Sequence, residues 1–219
     1  AFTSILQLLY SAADVIVIGQ FAGNEPLAAV GATGSLIQLM LNLFLGLGVG
    51  VNVIASYYFG VGDKNGLSKV IHTAVLMAVF GGTAIAVFGF FLSKTFLGFM
   101  STPSDIIDLS ALYMKIYFLG VPGSLVYNFG SAFFQSLGES KKPLYILASS
   151  GIINVVLNLV FVIFFNMTVD GVALATIISQ YFSAIAVVIS LSKRKEEFRL
   201  SLKKLRIHKT EFMKILRYG

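Results

Sequence analysis

Six long apolar runs follow one another along almost the whole chain, at about Ala1 to Gly19, Leu27 to Phe59, Leu67 to Leu92, Ile106 to Leu137, Leu144 to Phe165 and Gly171 to Ser192. Each approaches or exceeds the roughly 20 residues a helix needs to cross a hydrocarbon core. None alternates with period two, which argues against a membrane β-barrel. A soluble globule is excluded by the same pattern, because only 12% of the 219 residues are charged, against roughly 25% in soluble domains. With 57% hydrophobic residues and a mean hydropathy of +0.87, the chain reads as an all-α integral membrane protein, a bundle of six transmembrane helices.

The connections at Gln20–Pro26, Gly60–Gly66, Ser93–Asp105, Gly138–Pro143 and Asn166–Asp170 are short, as antiparallel neighbours require. Pro26, Pro103 and Pro143 punctuate turns. Pro122 falls inside the fourth run and predicts a kink, read either as a tolerated packing bend or as a hinge. All of the 16 Lys and Arg residues except Lys94 and Lys115 lie in the second and fourth connections, beside them, or after residue 192. That asymmetry predicts a cytoplasmic tail 193–219 in a protein of the cell membrane.

The tail alternates basic residues with Leu200, Leu202, Leu205, Phe212, Ile215 and Leu216. This pattern predicts a basic amphipathic helix along the inner membrane surface, attracted to lipid rather than nucleic acid. The chain opens at Ala1 directly in an apolar run and stops in a basic stretch, so it is expected to be a fragment of a longer one. Domain 1–192 is then a transmembrane lobe, and 193–219 a linker to further helices.

There is no cysteine, which removes thiolate metal sites and cysteine nucleophiles, and the two histidines, His72 and His208, are far apart in sequence. No nucleophile elbow, zincin pair or phosphate loop is present, so no enzyme and no cofactor is expected. Gly46, Gly48 and Gly50 lie in an apolar helix and read as a close packing surface.

Among the ten acidic residues, Asp14 alone lies in the interior of a run, Asp108 standing at the very start of the fourth. A carboxylate in the bilayer costs roughly 2.5–3.5 kcal/mol on insertion scales and is a functional candidate by default; the alternative is a carboxylate near the outer interface. Asn154 and Asn158 are one helical turn apart on the fifth run, on one face. They offer either two carbonyl oxygens to a cation or hydrogen bonds to a neighbouring helix. Thr176 and Gln180 make a second such pair on the sixth run. Gln38, Asn42 and Asn52 give the second run a polar side suited to protein or a wet cavity. One carboxylate among neutral oxygens suits a monovalent cation, and the same carboxylate can take a proton instead.

Several ordered motifs carry a family resemblance. They are Leu9-Tyr10-Ser11-Ala12-Ala13-Asp14 leading to Ile18-Gly19-Gln20-Phe21-Ala22-Gly23, then Leu27-Ala28-Ala29-Val30-Gly31, and Tyr58-Phe59-Gly60-Val61-Gly62-Asp63. Phe134-Gln135-Ser136-Leu137-Gly138-Glu139 before Lys142-Pro143, and Gly171-Val172-Ala173-Leu174-Ala175-Thr176, complete the set. Together they resemble the multidrug and toxic compound extrusion (MATE) transporters over nearly the whole chain. The resemblance implies one six-helix lobe of a twelve-helix transporter, with a second lobe of the same parent chain as its partner. It also implies that Asp14, Asn154 and Thr176 contribute to cation coupling by Na+ or H+. Asn158 stands where some members carry a second aspartate, leaving one formal charge. Gln38, Asn42 and Gln180 are candidates to line the substrate cavity.

The implied activity is cation-coupled export of small organic, cationic or amphiphilic compounds by alternating access. A flippase for a lipid-linked precursor and a non-transporting membrane scaffold are the alternatives. A flippase calls for several basic residues in its cavity, and Lys115 is the one Lys or Arg in the interior of a run, Lys69 standing at the start of the third.

Overall fold

The computed structural model describes the backbone of residues 2–196 and 198–219, and the side chains at those positions other than 2–11, 40, 41, 43–45 and 202. Helices α1 (Phe2–Phe21), α2 (Asn24–Gly60), α3 (Lys64–Phe99), α4 (Ile107–Ser136), α5 (Lys141–Leu159) and α6 (Val169–Ser192) occupy the six apolar runs, and α7 (Lys209–Tyr218) ends the tail. A π-helical turn, Val160–Phe164, extends α5. No strand occurs among the described residues. Also among them, α3, α4, α6 and α5 with its π extension are long and apolar enough to cross a membrane, while Ala12–Phe21 forms a shorter apolar stretch.

The membrane level can be read from α3. Between Ala74 and Leu92 it carries no charge, and polar residues close the stretch at His72-Thr73 on one side and Ser93-Lys94 on the other. At about 1.5 Å per residue that stretch matches a hydrocarbon core of about 30 Å. The 36-residue α3 therefore projects beyond the bilayer on the side shared with the α2–α3 connection, the α4–α5 connection and the tail.

Helix α4 is the hub, packed against α3 on one side, α6 on another and α2 on a third. Its closest approaches use glycine, because helices in lipid gain mainly from van der Waals contact. A Cβ on Gly82 of α3 would lie 2.6 Å from Pro122 Cα, and one on Gly130 of α4 would lie 2.2 Å from Val187 of α6. Pro122 thus sits on a glycine of the neighbouring helix within a continuous α4.

One apolar core runs along α2, α3 and α4 through Phe118, Phe129, Phe133 and Phe134 and is densest toward the tail side. A second, at the opposite end, joins α1, the start of α2, Tyr113 of α4 and the start of α6. Asn52 Nδ2 donates to the Ala132 carbonyl (2.9 Å), tying α2 to α4.

Three helices end alike. Asp63 N donates to Tyr58 O (2.9 Å) and Gly62 N to Phe59 O (3.1 Å), while Glu139 N donates to Phe134 O (2.9 Å) and Gly138 N to Gln135 O (3.0 Å). In both, the glycine adopts the left-handed conformation, φ 72° and 79°, that this helix stop requires. At the end of α3 the same bonds form with Ser101 at φ 54°.

The tail departs from the expected surface helix. Residues 193–196 and 198–208 are irregular apart from a 3-10 turn at Leu202–Lys204, and among the described tail residues the α-helix is Lys209–Tyr218. Burial and backbone hydrogen bonding explain the difference. Phe198, Leu200 and Ile215 are buried against the bundle, the Ser201 N–H donates to His72 Nε2 (3.0 Å), and the His208 N–H donates to Thr73 Oγ1 (3.1 Å). From there α7 climbs along α2 toward the bilayer centre. A Cβ on Gly50 would lie 2.3 Å from the Ile215 carbonyl oxygen, and one on Gly46 3.0 Å from that of Gly219. The glycine run on α2 is a packing surface, with Gly46 and Gly50 against α7 and its end and Gly48 toward Phe129 of α4.

Candidate functional site: a buried carboxylate among helices 1, 5 and 6

Asp14 lies past the middle of α1 and is 7% exposed. Its partners come from α5 and α6, which are held in register by Ser150 Oγ of α5 donating to the Ser179 carbonyl of α6 (2.6 Å). Asn154 and Asn158 are fully buried, and their one-turn spacing aims both amides at α1. Asn158 Nδ2 donates to Asp14 Oδ1 (2.5 Å) and to Asn154 Oδ1 (3.3 Å). Asn154 Nδ2 donates to Thr176 Oγ1 (3.4 Å). The Thr176 hydroxyl has one proton and two acceptors in reach, the Val172 carbonyl at 2.9 Å and Asp14 Oδ2 at 3.3 Å.

Asp14 therefore meets only neutral donors. No Lys, Arg or His lies within ion-pair distance of it among the described residues. An uncompensated carboxylate in the bilayer interior is costly, and a cation or a proton removes that cost. Asn158 Oδ1 is buried and has no hydrogen-bond partner, a further oxygen beside the carboxylate. The ligand atoms around Asp14 are oxygens, a set that suits hard cations.

Just beyond Asn158, the α-helical bonding of α5 gives way to the π turn, a widening often found at functional positions. Phe165 N donates to Val160 O (3.3 Å), Met167 N to Phe161 O (3.0 Å), and Asn166 follows at φ 52°. Gly171 at the start of α6 fits against this turn, where a Cβ would lie 2.7 Å from Met167 Cβ.

The remaining candidates separate. Gln180 lies one turn beyond Thr176, packed on Gly120 with its Oε1 unpartnered. Gln38 and Asn42 are exposed on α2, where Gln38 Nε2 donates to Asn42 Oδ1 (3.1 Å), and neither joins the Asp14 group. Pro122 belongs to the α3–α4 contact. Two tyrosines escaped the sequence reading. Tyr113 and Tyr117 of α4, with ring centroids 6.0 Å apart, lie within electrostatic reach of Asp14, and Tyr117 is beside Gln180. Their one-turn spacing on a membrane run was the available signal. Lys115, on the same helix, has its ammonium 5.9 Å from the Phe90 ring centroid on α3.

Packed apolar helices around a buried carboxylate, with no charged partner among the described residues, define a polytopic helical membrane protein. The chain matches the MatE family model over residues 1–160 and belongs to that family. It is 32% identical over 175 residues to the "Probable multidrug resistance protein YpnP" of Bacillus subtilis (strain 168), covering 80% of this chain and 39% of the relative. Over 224 residues it is 27% identical to the "Probable multidrug resistance protein YoeA" of the same organism, covering 99% and 48%. The fold superposes on the crystal structure of MATE in the bent conformation with a TM-score of 0.91 at 22% identity, covering all of this chain and 49% of that one. The chain thus spans half or less of the length of the relatives it matches.

Proposed function

We propose that the parent protein is a cation-coupled antiporter that exports small organic, cationic or amphiphilic compounds across the cell membrane by alternating access. In this reading Asp14 is the coupling carboxylate, Asn154, Asn158 and Thr176 supply neutral oxygens, and Na+ or H+ is the coupling ion. The observation that carries it is the burial of Asp14 among neutral donors without a counter-charge. The printed names of the Bacillus subtilis relatives, which refer to multidrug resistance, support the substrate class.

Coupling requires the cation to bind two conformations with different free energies. The Asp14 group meets that requirement because its ligands sit on three helices, so relative movement of α1 against α5 and α6 changes the number of oxygens around the ion. The positive-inside pattern supports a cytoplasmic side for the tail and, with it, for the α2–α3 and α4–α5 connections. The flippase alternative calls for several basic residues in the cavity, whereas the one Lys or Arg in the interior of an apolar run, Lys115, has its ammonium over the Phe90 ring.

The test is efflux of a fluorescent organic cation from cells expressing the full-length parent, wild type against Asp14→Asn, with sodium and proton gradients varied independently. Loss of gradient-driven efflux in the variant at equal expression is the expected result, and the gradient that drives the wild type names the ion. Equal export by both proteins would remove Asp14 from the coupling role.

A further inference from the structure

Beneath the irregular part of the tail lies a crevice of about 230 Å³ whose described wall is wholly apolar. Its sides are α3, through Met77 and Gly81, and α7, through Phe212 and Leu216; Leu47 of α2 and Phe129 of α4 form its floor. Phe80, 62% exposed, stands at its mouth. Ile207, immediately before α7, closes the end nearer the tail.

Depth and charge together indicate the occupant. Ser201 and His208 hold the tail at the level of His72 and Thr73, where the charge-free stretch of α3 begins. Gly81 is eight residues farther along α3, about 12 Å deeper, which is acyl-chain depth. Lys203, Lys204, Arg206 and Lys209 surround Ile207 in sequence; all four are exposed, and none is paired with a carboxylate among the described residues. An apolar slot in the hydrocarbon layer under a row of free cations at headgroup level is complementary to an anionic amphiphile.

We infer that the crevice between α3 and α7 is a binding site for an anionic phospholipid of the tail-side leaflet, with one acyl chain between Gly81 and Leu216 and the phosphate against Lys203, Lys204 and Arg206. The site is independent of Asp14 and of the coupling ion. Bound lipid joins the first helix of the tail to the third helix of the lobe, so its occupancy sets how firmly α7 is held.

The test uses the full-length parent in nanodiscs containing phosphatidylcholine and a trace of phosphatidylglycerol bearing a diazirine on one acyl chain. Peptide mapping after irradiation is expected to place the label on Phe80–Gly81 and Phe212–Leu216. A Cβ on Gly81 would meet nothing within 4 Å, so Gly81→Leu fills the slot without disturbing helix contacts; it is expected to abolish this label while leaving the thermal midpoint unchanged. Replacing Lys203, Lys204 and Arg206 by Gln is expected to lower labelling by phosphatidylglycerol, relative to a phosphatidylcholine bearing the same diazirine, by about fivefold per charge removed. Three results would each overturn the proposal: no label in the crevice of the full-length protein, which means the second half of the parent covers it; equal labelling of wild type and Gly81→Leu; or equal labelling by the two lipids.

Discussion

The strongest and weakest members of the Asp14 group are distinguishable one side chain at a time. Asn158 supplies the short bond to Asp14 Oδ1, whereas the contacts of Asn154 with Asn158 and Thr176 are longer, 3.3–3.4 Å. Removing Asn158 leaves a buried carboxylate oxygen without its donor, so Asn158→Ala is expected to destabilise the lobe by about 1–2 kcal/mol, and Asn154→Ala by less. Thermal unfolding of the full-length parent checks the ranking, and a larger loss from Asn154→Ala would contradict it. Thr176→Val is nearly isosteric and removes the hydroxyl that reaches both Val172 and Asp14. If Na+ is the ion, that variant should keep its fold and shift the sodium concentration for half-maximal stabilisation upward by about tenfold or less, equivalent to ~1.4 kcal/mol. The convergence of Asp14, Asn154, Asn158 and Thr176 was readable in part, because an acid in a membrane run and two amides one turn apart are rare enough to notice. Tyr113 and Tyr117 were not read, since tyrosine in an apolar run is ordinarily lipid-facing bulk and only packing places these two near a charge.

Helix ends and connections carry their own consequences. Ser101 adopts at the end of α3 the left-handed conformation that Gly62 and Gly138 adopt elsewhere, and a side chain there costs free energy that glycine avoids. Ser101→Gly is expected to stabilise the protein by about 0.5–1 kcal/mol, measured as a rise in thermal midpoint; a fall would show that the Ser101 side chain makes a compensating contact. On the other side of the membrane, Arg194 fastens the start of the tail to the α4–α5 connection. Its guanidinium reaches Glu139 at 2.7 Å and lies over Phe134 and Phe198, 5.7 and 5.3 Å from their centroids. The hydrogen bond from Arg194 holds the Glu139 carboxyl below the ordinary glutamate range, with partial burial opposing it and Lys142 assisting. A carboxyl depressed in the folded state contributes stability that is complete above its unfolded value and lost as pH falls through its folded value. A spin label on Lys195→Cys should therefore gain mobility on acidification in the wild type, and be mobile at every pH when Arg194→Ala is added. Sequence showed six runs and their turns because apolar length and glycine stops are local signals. It missed the tail because alternating basic and apolar residues fit a surface helix as well as an extended segment whose N–H groups find His72 and Thr73.

At the scale of the molecule, α7 does not lie flat against the tail side of the bundle but rises along α2. The contact is made by absence of side chains: Gly50 lets the Ile215 carbonyl approach, and Gly46 lets Gly219 approach. Polar bonds fix the base of the same contact. Tyr58 on α2 donates to Glu211, which is buried, and accepts from Lys214. Helix α2 also packs on α4 and contacts α1, and the sequence could not show that it carries α7 because the glycine run names no partner. Gly50→Ala places a methyl where the backbone of Ile215 now stands, a clash that only displacement of α7 relieves. Amide exchange across 209–218 is expected to rise at least tenfold in that variant, equivalent to about 1.4 kcal/mol of lost protection, while exchange in α3, α4 and α6 stays at wild-type rates. In the efflux assay the same variant should retain cation-dependent stabilisation, since Asp14 and its ligands are untouched, yet export less. Unchanged exchange in α7 would show that the helix is held by its polar base alone, and loss of cation-dependent stabilisation would show that α2 transmits the displacement back to α1.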